Sequence, residues 1–188
     1  RVDPDVIVVA TFTDKKLDSR ARALDSSGVL SAALARPDAI GDSGKILEAH
    51  LPGAKKGAPA RRVLILGLGK KDTFAPSSLR AAAGALGRKL AATKDEKVSI
   101  DIEGALASVP KLDLEFAGRC LGEGLGLISW NLNRFKGKGS PDNKKTSVSI
   151  AIEGAELRRG ELPWFRDGAE HSGPRGVLPL HAGEVQRG

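Results

Sequence analysis

The sequence predicts an α/β domain, a mixed and partly parallel sheet between helices, followed by an irregular carboxyl-terminal tail. Three observations carry that expectation. Short β-branched apolar runs alternate with amphipathic helical patterns along the first 153 residues. Several of those runs are apolar without interruption, which requires cover on both faces of the sheet. From Gly160 to Gly188 there are six glycines and three prolines in 29 residues and no apolar period. Such a segment has little area to bury against the entropy of ordering it.

The elements follow in order. Asp5 to Phe12, with Val6, Ile7, Val8 and Val9, reads as a buried strand. Asp18 to Arg36 has Ala21, Leu24, Val29, Leu30 and Leu34 at near-helical spacing, interrupted by Ser26-Ser27-Gly28, and reads as one broken helix closed by Pro37. Lys45 to Leu51 is a second strand, ended by Pro52-Gly53, and Ala54 to Ala60 is a basic loop. Arg62 to Gly67 is the strongest strand and runs into the turn Gly67-Leu-Gly-Lys-Lys-Asp72. Pro76 opens a helix in which Leu79, Ala83, Leu86 and Leu90 share a face. Lys97 to Ile102 is the next strand. Leu114, Ala117, Leu121, Leu125 and Ile128 line another helix, and Lys144 to Ile152 is the last strand. The chain thus divides into a domain over residues 1–153 and a tail over 154–188, mobile or held by a partner.

The charge balance is basic, 30 lysines and arginines against 23 acids, for a net charge of +7. The tail from Gly154 carries five of each sign, so the whole excess sits in the first 153 residues. Its densest patch is Arg134, Lys136 and Lys138 with Lys144 and Lys145 beyond. Only Trp130 and Phe135 interleave with it, a thin signal for nucleic-acid stacking beside the reading as a solubilising face. No apolar stretch approaches the length of a membrane span. The single cysteine, Cys120, leaves no internal disulfide and suits a reducing compartment, where it reads as a small buried side chain on a helix. The chain opens on Arg1 with no leader pattern. We expect a cytoplasmic protein, or one in an organelle after removal of a targeting peptide.

Motifs for chemistry are sparse. The glycine turn at Gly67 resembles a phosphate loop, but it lacks the Gly-Lys-Ser/Thr of a Walker sequence and the third glycine of a dinucleotide fingerprint. It reads as a structural turn. His50 lies in a strand and His171 and His181 in the tail, without the spacing of a metal-ligand cluster, so no metal or other cofactor is expected in this chain. Asp101 and Glu103 stand two apart on a strand, which puts both carboxylates on one face. No Gly-x-Ser-x-Gly elbow is present.

Taken in order, several segments resemble the amino-terminal domain of the leucyl (cytosol) aminopeptidases. They are Thr13-Asp-Lys-Lys16, Leu51-Pro-Gly53, Arg62-Val-Leu-Ile-Leu-Gly-Leu-Gly-Lys70 with Lys71-Asp72, and Leu79-Arg-Ala-Ala-Ala-Gly84. Gly122-Glu-Gly-Leu125 then leads through Trp130 to Asn133-Arg-Phe-Lys136. The set is collinear over residues 5–153. The resemblance implies a macro-domain-like fold and assembly with protein subunits, in the family's hexamer or a larger complex. It also implies that the family's two divalent metals, zinc or manganese, and its catalytic groups belong to a second domain without counterpart here. No functional residue carries across, so catalytic, cofactor-binding and metal residues in this chain are none. The expected role is a non-catalytic assembly or binding module. The alternatives are a fragment of an active metallo-aminopeptidase, or a DNA-binding accessory domain. An ADP-ribose site at Gly67 to Lys70 rests on fold analogy alone.

Overall fold

Six consecutive residues, Val6–Thr11, form β1, and every one of them is buried. Strand geometry sends Val6, Val8 and Ala10 to one face and Ile7 and Val9 to the other, so a run apolar at each position needs helices on both sides. The computed structural model describes residues 4–39, 41–53, 60–93, 95–126, 149–161 and 177–179. The remaining strands are β2 (Ile46–Leu51), β3 (Arg61–Gly67), β4 (Lys97–Ile100), β5 (Ser149–Ile152) and β6 (Val177–Pro179). The helices are α1 (Ser19–Leu24), α2 (Val29–Ala35), α3 (Pro76–Thr93), α4 (Glu103–Ala107), α5 (Leu114–Gly126) and α6 (Ala155–Glu161).

The sheet order is β2-β3-β1-β4-β5-β6. β1 pairs in parallel with β3, from Val6 opposite Arg62 to Thr11 opposite Gly67, and with β4 on its other side. β5 continues the parallel set, while β2 and β6 run antiparallel at the two edges. The mixed, partly parallel sheet expected from the sequence is therefore present.

Two cores flank it. On the first face Val8, Leu64, Leu66, Val98, Ile100 and Ile150 meet α3, α5 and α6 through Leu79, Leu86, Leu90, Leu121, Leu125 and Leu157. On the second face Ile7, Val9, Val63 and Ile65 meet α1 and α2 through Ala21, Leu30 and Leu34. The helical face expected at Leu79, Ala83, Leu86 and Leu90 is buried throughout. Where α3 meets α5, a methyl on Gly84 would meet only the Arg88 guanidinium at 3.7 Å and the Gly124 carbonyl at 3.8 Å, ordinary contact distances. Gly84→Ala is therefore expected to stabilise the protein by up to about 1 kcal/mol, since alanine gains helix propensity at no steric cost. A urea midpoint moved to lower concentration would refute this.

Several expected elements differ in the structure. The broken helix over 18–36 is two helices. The Asp25 carboxylate accepts from the N–H groups of Leu30 and Ser31 (2.7 and 2.9 Å) and so caps α2 while ending α1. The strand at Lys97 stops at Ile100, because the chain turns at Ile102 into the five-residue α4, with Ile102 itself fully buried. Asp101 and Glu103 consequently do not share a strand face. Of the last expected strand the described part is β5, and residues 144–148 lie outside the described residues, as does Ile128. Beyond residue 153, where composition predicts irregular chain, the structure has α6 and β6. Leu157 of α6 is fully buried against α5, so the core extends past the expected end. That packing depends on Gly118, where a Cβ would fall 1.8 Å from the Leu157 carbonyl oxygen.

Candidate functional site at the carboxyl ends of the parallel strands

Strands β1, β3, β4 and β5 all end on one rim. The chain runs from β1 out to β3 on one side and from β4 out to β5 on the other, so the strand order reverses between β1 and β4, the kind of switch point where open α/β sheets place ligands. Two groups of residues converge there.

The first is the glycine turn after β3. The N–H groups of Gly67, Leu68 and Gly69 donate to the carbonyls of Lys45, Thr11 and Gly41 at 2.8, 2.9 and 2.8 Å. The Gly69 carbonyl in turn accepts from the Thr13 N–H at 2.9 Å. Residues 41–45 press on the turn so closely that a Cβ on Gly67 would sit 2.2 Å from the Asp42 carbonyl oxygen. A phosphate nest needs successive amides free to point at an anion. Here all three are committed to the backbone, and the turn acts as a clasp between β1, β3 and the chain entering β2.

The second group is acidic: Asp18, Asp101, Glu103 and Glu153, with Arg20 among them. Asp18 Oδ1 accepts from the N–H groups of Arg20 and Ala21 at 2.7 and 3.0 Å and caps α1. Its Oδ2 is buried without a hydrogen-bond partner among the described residues. Arg20 Nη1 reaches Asp101 Oδ1 at 3.3 Å. Glu103 Oε2 accepts from the Leu157 N–H at 3.4 Å, which ties α4 to the first turn of α6. Each acid contact described is thus a contact of the fold itself.

Burial pushes the Asp101 carboxyl above its ordinary range. Arg20 pulls it back, and Asp18 and Glu153 add to the rise. A carboxyl raised in the folded state favours folding below its unfolded pKa, and that contribution is lost as the pH rises through the folded value. Asp101→Asn is accordingly expected to flatten the pH dependence of stability just above the ordinary carboxylate range. Urea midpoints measured from mildly acidic to neutral pH check this, and a slope identical to that of the unaltered protein would refute it.

Other residues singled out in the sequence fall elsewhere. Arg134, Lys136, Lys138, Lys144 and Lys145 lie outside the described residues, as do His171 and His181. His50 is on the edge strand β2, exposed. Cys120 is fully buried on α5, where burial raises its thiol against the pull of Arg80, whose Nη2 lies 3.6 Å from the sulfur. Such a thiol is a packing group. On the opposite rim a shallow cleft of about 150 Å³ is lined by Leu24, Ser26, Ser27, Leu51, Pro52 and Arg61. It is below the roughly 300 Å³ at which small-molecule pockets begin. Among the described residues no three His, Cys, Asp or Glu side chains are grouped to hold a metal ion. No helix there is long and apolar enough to cross a membrane. The pairing of Arg20 with Asp101, 81 residues apart, has no signal in local sequence spacing.

Comparison with known proteins bears on the fold and its lineage. The family model described as "Cytosol aminopeptidase family, N-terminal domain" matches residues 8–139. A probable cytosol aminopeptidase of Xylella fastidiosa (strain 9a5c) is 37% identical over 198 aligned positions, covering 95% of this chain and 36% of the relative. One from Aromatoleum aromaticum is 29% identical over 156, covering 80% and 30%. Among solved structures, a mutant of tomato leucine aminopeptidase has a TM-score of 0.60 at 22% identity, over 86% of this chain and 32% of that one. The bottromycin maturation enzyme BotP has a TM-score of 0.53 at 20% identity, over 85% and 30%. These two likenesses show a shared fold. The chain spans about a third of the length of these relatives.

Proposed function

Because the chain belongs to the cytosol aminopeptidase family, matching that family's N-terminal domain over residues 8–139, we propose that it is a non-catalytic assembly module that docks to other subunits. The observation that carries this reading is the placement of the match: 95% of the chain aligns within 36% of the Xylella relative. The chemistry at the rim agrees with it. The turn amides and the acid contacts described above are engaged in holding elements together, which supports a scaffolding role. Peptide hydrolysis by a metal-activated water needs convergent ligands around an open position. On this reading the family's two divalent metals, zinc or manganese, are held by the catalytic part of the relatives, with which this chain assembles in a hexamer or a larger complex.

The same share of the relative's length supports a second reading, that this is one domain of an active metallo-aminopeptidase that removes amino-terminal residues from peptides. One experiment separates the two. The native protein is purified, the mass of each subunit is measured intact, and the isolated chain is assayed with leucine p-nitroanilide in the presence of zinc or manganese. The first reading expects a subunit near 19.7 kDa held by other chains, and no turnover by the isolated chain. A single parent chain of several times that mass would replace it with the second. Turnover by the isolated chain would sink the assignment as non-catalytic.

A further inference from the structure

No further inference is drawn: the strongest candidate, the carboxylate cluster of Asp18, Asp101, Glu103 and Glu153 around Arg20 at the carboxyl ends of β1, β4 and β5, is engaged in capping α1 and tying α4 to α6, and nothing in the structure points to a ligand for it.

Discussion

Replacing Gly118 with alanine is expected to cost about 3 kcal/mol and to loosen α6 from α5. The new methyl would lie 1.8 Å from the carbonyl oxygen of Leu157 and 2.7 Å from its carbonyl carbon. Both are backbone atoms, so no rotamer change relieves the overlap, and one helix has to move. Moving α6 uncovers Leu157, which is fully buried, and strains the bond from its N–H to Glu103. Alanine gains about 1 kcal/mol of helix propensity over glycine, which offsets only part of that loss. Equilibrium urea denaturation reads the total, and hydrogen exchange at the α6 amides reads where it falls. Faster exchange confined to α6 and its contacts is the expected pattern. Full stability in the Gly118→Ala protein would mean that α6 does not pack on α5 in solution. Gly84→Ala serves as the control, since the same change on the neighbouring α3 meets its neighbours only at ordinary contact distances and is expected to act in the opposite direction.

The same helix shows where sequence pattern runs out. Strands β1 and β3 were legible because continuous burial leaves a continuous apolar run, and α3 because four leucine and alanine positions from Leu79 to Leu90 keep one face of an 18-residue helix. α6 has only seven residues and one fully buried apolar side chain, so it leaves no period to read. Its position is set by an absence of side chain on another helix, at Gly118. α4 fails for the same reason of length, and its buried Leu106 and Ala105 look from the sequence like part of a loop. The strand expected from Lys97 to Ile102 runs two residues too far: Val98 and Ile100 are buried in β4, whereas the equally buried Ile102 occupies the N-cap position of α4.

The rim was legible only in part. The glycine turn was visible as a turn, and reading it as structural is explained by where its amides go, to Lys45, Thr11 and Gly41. Of those acceptors, Thr11 and Gly41 lie far enough along the chain that no local motif announces them. Asp101 and Glu103 stand out together in the sequence for their spacing, yet they serve separate contacts, one with Arg20 of α1 and one with α6. Since α1 and α6 lie on opposite faces of the sheet, spacing along the chain could not assign either partner. Family resemblance added what the residues alone did not, the lineage, and the match over residues 8–139 bears it out.

Arg62→Ala is expected to destabilise the fold by about 2 kcal/mol near neutral pH. The Arg62 side chain is only 16% exposed and holds two carboxylates from different elements. Its Nε and Nη2 bond both oxygens of Glu48 on the edge strand β2, at 2.8 and 3.2 Å. Its Nη1 bonds Asp95 Oδ1, just past α3, at 2.6 Å, and Asp95 is 10% exposed. Removing the guanidinium leaves Asp95 buried without that charge and frees β2 from one of its ties. Glu48 is 34% exposed and keeps Lys89 at 3.3 Å, so water and that lysine screen its part of the loss, which holds the total below the 3–5 kcal/mol of a fully buried pair. Arg62→Lys, which keeps the charge but not the two-pronged geometry, should fall between. The pH dependence identifies the cause. Hydrogen bonds from Arg62 lead in holding the Glu48 carboxyl below its ordinary range, against burial and with help from Lys89. A carboxyl lowered in this way stabilises the fold above its unfolded pKa, and that contribution is lost as the pH falls through the folded value. The gap between Arg62→Ala and the unaltered protein should therefore shrink as the solution is acidified into the carboxylate range. A gap that stayed constant with pH would show that Arg62 works through the packing of its aliphatic stem and not through its charge.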